Sequence, residues 1–136
     1  MSQARQASTP LRVVLVDDHA VVREGYRRLL ERTNDIAVVA EAANGDDAYR
    51  LICEHQPDVA VLDISLPGLG GIEVTRRVIT RLPQQKILIF SMHEDTVFSS
   101  RALQAGARGY VTKSAAPEAL KWMCASWAPP MRICAG

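Results

Sequence analysis

At 136 residues the chain has the length of one domain, and such a chain buries about 70% of its unfolded surface, so a core without staples is feasible. With 48% hydrophobic and 23% charged residues its composition is that of an ordinary globular protein, not of a chain disordered throughout. Sixteen Lys and Arg against fifteen Asp and Glu leave a net charge of +1, so there is no basic footprint for a nucleic-acid backbone or an anionic membrane.

In chain order, residues 1–10 are polar, lack the apolar stretch of a signal peptide, and are expected to form a disordered tail. Five short apolar runs follow: Leu11–Asp17, Ile36–Ala42, Asp58–Asp63, Lys86–Met92 and Ala107–Thr112. Each has the length of a strand, and three are nearly continuous in Val, Ile and Leu, as expected for strands covered on both faces. Between them lie segments of helical period. His19–Arg32 carries the stripe Val22, Tyr26, Leu29 and Leu30, with Asp18 as the expected cap. Asn44–His55 has Asn44 as its cap and Pro57 just beyond its end. Gly71–Leu82 stops at Pro83, Glu94–Ala105 closes on Gly106, and Pro117–Trp127 supplies a fifth helix. No apolar run approaches the roughly 20 residues that span a membrane. Cys53, Cys124 and Cys134 are odd in number and show no CxxC spacing, which argues against a disulfide framework or a zinc knuckle. A small cytoplasmic domain is the expectation.

Strand and helix in strict alternation predict a (βα)5 doubly wound parallel sheet of the flavodoxin-like kind, an α/β fold with strand order 2-1-3-4-5. Function in such a sheet sits where the strands end. The first run ends in Asp17–Asp18, the third in Asp63 and the fourth in Ser91, and Lys113 follows the fifth; Glu41–Ala42 ends the second with nothing comparable. Taken alone, each has an ordinary reading: a helix cap for Asp18, a turn residue for Asp63, a solvated surface for Lys113. Their joint order at successive strand ends is what discriminates.

Three carboxylates at one edge repel by roughly 3 kcal/mol per pair at about 5 Å and an effective dielectric near 20. Raised pKa values, the Lys113 ammonium or a bound cation must offset this. All-oxygen donors suit a hard ion such as Mg2+. An Asp beside Mg2+ and a Lys can act as nucleophile toward a phosphoryl group, and a hydroxyl such as Ser91 adds to charge neutralisation. His19 follows the acid pair into a helix and is expected to point away from the cleft, which argues against zinc.

LVDDHAVVREGYRRLLE (15–31), LDISLPGLGGIEV (62–74), SMHED (91–95) and AGARGYVTKSAAPEAL (105–120) together resemble a response-regulator receiver domain, the phosphoacceptor module of two-component signalling. They resemble its NarL/FixJ branch in particular, which usually joins its receiver to a LuxR-type helix-turn-helix. The resemblance covers about residues 11–127. It implies phosphorylation on Asp63 by a histidine kinase or phosphotransfer protein. The metal, Mg2+ with Mn2+ as a substitute, would be held by Asp18, Asp63, the backbone carbonyl of Ser65 and, through water, Asp17. Ser91 matches the switch hydroxyl, Lys113 the phosphate-pairing lysine and Tyr110 the aromatic switch residue, all acting on the face of helix 4, strand 5 and helix 5. The protein would then be a signalling switch that catalyses only its own phosphorylation and dephosphorylation, and it could form a homodimer once phosphorylated.

Three features depart from the family pattern. Gly70–Gly71 predicts a looser loop after Asp63. Met92 is bulky beside the phosphorylation site. Residues 128–136 read as a short C-terminal tail with Pro129–Pro130 and no helix-turn-helix after it, so this chain is not expected to bind DNA. Truncation or alteration of a transcription regulator and a natural stand-alone receiver remain alternatives. An Asp-nucleophile phosphatase is disfavoured because a second acid is wanted two residues after Asp63, where Ser65 stands. A flavin carrier is disfavoured because Asp17–Asp18–His19 replaces a phosphate loop.

Overall fold

A computed structural model describes residues 10–32, 35–91 and 96–112. Five strands, β1 (Leu11–Val16), β2 (Ile36–Ala42), β3 (Val59–Asp63), β4 (Lys86–Ser91) and β5 (Gly109–Thr112), form one sheet in the order β2-β1-β3-β4-β5. Every pairing is parallel. The helices α1 (Ala20–Leu30), α2 (Gly45–His55), α3 (Gly71–Arg81) and α4 (Thr96–Gln104) make the crossovers. The strand order is the expected one. The fifth helix, the two tails, Met92, His93, Lys113, Cys124 and Cys134 lie outside the described residues.

The near-continuous apolar runs fall on the three inner strands because each of these strands is covered twice. Val13, Leu15, Val59, Val61, Leu88 and Phe90 pack toward Tyr26 and Leu30 of α1. The alternate positions Val14, Val16, Ala60, Leu62, Ile87 and Ile89 pack toward Ala48 and Ile52 of α2, Val74 and Val78 of α3, and Ala102 of α4. Each fully buried Val, Leu or Ile stabilises the fold by about 1.5–3 kcal/mol. The Tyr26 ring meets Phe90 edge to face at 5.2 Å, fixing α1 against β4.

Local signals stop the helices where periodicity alone would not. Asn44 Oδ1 accepts the Asp47 N–H at 2.8 Å and caps α2, as expected. Gln56 turns left-handed (φ 44°) to end that helix before Pro57. Gly106, at φ +116°, closes α4 with its N–H on Leu103 O at 3.1 Å, while the Ala107 N–H reaches Ala102 O at 3.0 Å.

One expectation needs correction. Asp18 does not cap α1: His19 occupies that position without a side-chain cap bond. Instead the chain turns one residue earlier, with Asp17 Oδ1 accepting the His19 N–H at 2.8 Å. Asp63 uses the same device, its Oδ1 accepting the Ser65 N–H at 3.1 Å. The second of the paired glycines after Asp63 packs closely on the strand end. The Gly71 N–H donates to Ile64 O at 3.0 Å, and a Cβ on Gly71 would lie 2.4 Å from Asp63 O. Gly71 is the residue that lets α3 start against the strand end.

Candidate functional site

The register brings the acids together. Val16 of β1 pairs with Leu62 of β3, so Asp17 and Asp63 stand next to one another beyond that pair. Asp63 pairs with Phe90, which places Ser91 one step further on β4, opposite Thr112 of β5. Asp17, Asp63 and Ser91 are buried, at 0%, 3% and 0% exposure. Asp18 is partly open, with its side chain 30% exposed. One donor atom from each of Asp17, Asp18, His19 and Asp63 lies within 4.8 Å of the others.

His19 does not point away from the cleft. Its Nδ1 lies 3.1 Å from Asp18 Oδ1 and 3.3 Å from Asp17 Oδ1. The reason is its place ahead of the helix: with ψ at 107° its backbone is extended, and the ring folds back over the acid pair. The Ser65 side chain is exposed on the loop, while the Ser65 N–H faces the Asp63 carboxylate. Tyr110 is half-buried on β5, level with Ile89, on the side of the sheet that carries α2, α3 and α4.

Sequence reading missed a second layer. Arg23 of α1 donates from Nη1 to the Asp17 carbonyl at 2.6 Å and from Nε to Glu41 Oε1 at 2.9 Å. Arg27 reaches the other Glu41 oxygen at 3.2 Å. Glu41, which ends β2 and looked inert, thus anchors the arginine that holds the Asp17 backbone.

Three carboxylates this close, two of them buried, fit a hard divalent cation, which supplies the charge that their mutual repulsion calls for. The buried Ser91 hydroxyl beside them is a donor suited to an incoming anion's oxygens. The arrangement is that of an acidic pocket with a buried carboxylate at its centre.

The family model for the response regulator receiver domain matches residues 13–125. Oxygen regulatory protein NreC of Staphylococcus haemolyticus is 41% identical over 111 residues, covering 81% of this chain and 51% of that protein. Response regulator UvrY of Escherichia coli K12 is 42% identical over 108 residues, covering 79% of this chain and 50% of its own length. The chain therefore spans about half the length of these curated relatives. Among solved structures, a LuxR-family two-component response regulator from Aurantimonas superimposes with a TM-score of 0.80 at 50% identity, covering 86% of each chain. The signal receiver domain of the putative NarL of Mycobacterium tuberculosis superimposes with a TM-score of 0.82 at 35% identity, covering 86% of this chain and 94% of that one. With a family model matched over most of its length and such relatives around it, the chain belongs to the response regulator receiver domains, in the LuxR and NarL branch.

Proposed function

We propose that Asp63 is the phosphoacceptor, that a histidine kinase or phosphotransfer protein is the donor, and that the domain acts in the cytoplasm as a switch. The observation that carries this is the position of Asp63. It ends the central strand, 3% exposed, within 4.8 Å of the donor atoms of Asp17 and Asp18 and one register step from the buried Ser91.

An oxygen of the Asp63 carboxylate attacks phosphorus. The P–N bond of a phosphohistidine donor breaks, and the leaving imidazole keeps the electron pair and takes up a proton. Asp18, Asp63 and the Ser65 carbonyl would hold Mg2+, or Mn2+ in its place, with Asp17 acting through water. When bound, such an ion neutralises the phosphoryl oxygens and the acid cluster. The bond from the Ser65 N–H to Asp63 Oδ1 at 3.1 Å helps to fix the orientation of the carboxylate. Ser91 donates to a phosphoryl oxygen, and Lys113, which follows β5, pairs with another.

The same chemistry run with water as nucleophile returns the free carboxylate. No external substrate is turned over, and Ser65, two residues beyond Asp63, offers no carboxylate for acid–base work. Drawing Ser91 toward the phosphoryl group vacates space on the face it shares with Tyr110, and the ring moves inward. The changed surface of α4, β5 and the following helix is then read by a second copy or, in a longer protein, by a DNA-binding domain that controls transcription.

Incubation with acetyl phosphate tests the acceptor step by intact-protein mass. One added phosphoryl group is expected, dependent on Mg2+ and absent in Asp63→Asn. A Mg2+-independent adduct, or one retained in the mutant, overturns the proposal.

A further inference from the structure

The imidazole of His19 lies where a ligand to a divalent cation would lie. In an octahedral site with donors about 2.1 Å from the ion, adjacent donors stand roughly 3.0 Å apart and opposite ones about 4.2 Å apart. His19 Nδ1 is 3.1 Å from Asp18 Oδ1, close to that adjacent spacing, and stands within hydrogen-bond distance of Asp17 Oδ1 at 3.3 Å. The donor atoms of Asp18, His19 and Asp63 lie within 4.8 Å of one another, near enough to share one ion, with Asp17 alongside to act through water. The ring's backbone is held in place, because the His19 N–H donates to Asp17 Oδ1 at 2.8 Å. Its side chain is 65% exposed, so with the partly open Asp18 it lies on the solvent side of a cluster whose other two members, Asp17 and Asp63, are buried.

We infer that His19 is a nitrogen ligand of this site and a determinant of which ion it takes. An all-oxygen set favours Mg2+, whereas an imidazole raises affinity for first-row transition ions such as Mn2+ and contributes little to Mg2+. The inference rests on the reading of the acid cluster as a cation site and adds to it the preference for one class of ion.

The test uses the full 136-residue chain. Calorimetric titration with MnCl2 and with MgCl2 gives the ratio of the two affinities, and pulsed electron paramagnetic resonance of the Mn2+-loaded protein reports directly coupled nitrogen. The wild-type protein is expected to show that nitrogen coupling. His19→Ala and His19→Gln are expected to lose it, and the Mn2+ to Mg2+ affinity ratio falls about tenfold. Bound Mn2+ without nitrogen coupling, or an unchanged ratio in both variants, overturns the role of His19 while leaving the cation site standing. If neither ion binds the wild-type chain, the cation-site reading itself falls, and the role of His19 with it.

Discussion

Gly70 and Gly71 are neighbours in sequence with opposite tolerances, and alanine at each separates them. A Cβ on Gly71 would lie 2.4 Å from Asp63 O, 2.9 Å from Ile64 Cα and 3.2 Å from Asp63 C, all of them backbone atoms. Relieving the closest contact requires about 1 Å of movement by the strand end or the helix start. Such overpacking costs about 1–3 kcal/mol, against a gain of up to about 1 kcal/mol for Ala over Gly in a helix, so Gly71→Ala loses about 1–2 kcal/mol. A Cβ on Gly70 meets nothing nearer than Ile64 O at 3.7 Å, and its φ of −67° is open to any residue. There the loss of a helix-entry glycine and the gain from a stiffer unfolded chain offset each other to within about 0.5 kcal/mol. In urea, at an m-value of about 2 kcal/mol/M, Gly71→Ala lowers the midpoint by about 0.5–1 M and Gly70→Ala leaves it nearly in place. Because the displaced atoms belong to Asp63 itself, Gly71→Ala also slows phosphorylation from acetyl phosphate by about tenfold to a hundredfold. Equal stability of the two variants, or a Gly71→Ala protein as stable and as quickly phosphorylated as wild type, would refute the close-approach argument.

Asn44→Ala removes the cap on α2 and is expected to lower stability by about 1 kcal/mol in urea titration, with Asn44→Asp or Ser restoring most of it. Arg23→Met leaves the Glu41 carboxylate with Arg27 as its partner and removes the Arg23 bond to the Asp17 carbonyl. A loss of about 1–2 kcal/mol follows, and a double-mutant cycle with Glu41→Gln should show coupling between the two side chains. Glu73 is held below the ordinary carboxylate range by its hydrogen bond from Arg77, with Arg76 adding to the effect. Since its folded pKa is depressed, its contribution is present above the unfolded value near 4.3 and is lost as pH falls through the folded value. Between pH 5 and pH 3 the wild-type urea midpoint should therefore fall more than that of Glu73→Gln; parallel curves would remove Glu73 from the account.

The sheet was legible because its information is periodic. Three nearly continuous runs of Val, Ile and Leu announce strands covered twice, and they are the three inner strands of the sheet. Asn44 marks a helix start, and Pro57, Pro83 and Gly106 mark stops, all by local chemistry, and the structure uses them as the sequence suggests. Asp17, Asp18 and Asp63 converge because strand order alone brings their positions together.

What escaped depends on contacts between segments distant in sequence. The close packing of Gly71 on Asp63, and of Gly45 on Leu69, comes from loops meeting across strand ends, which no periodicity records. His19 was misread because its direction depends on whether the helix starts at residue 19 or 20, and a one-residue difference turns the ring from solvent to the acids. Glu41 looked inert because it lies on β2 and its partners, Arg23 and Arg27, approach from α1.

The central claim is that Asp63, and neither of its acidic neighbours, receives the phosphoryl group. Acyl phosphates are reduced by borohydride to the corresponding alcohol, so an aspartyl phosphate becomes homoserine and keeps its place in the chain. The chain treated with acetyl phosphate and Mg2+, then reduced, digested and sequenced by mass spectrometry, should carry homoserine at position 63 alone. Homoserine at position 17 or 18, or an adduct retained on a His or Ser side chain, would contradict the account.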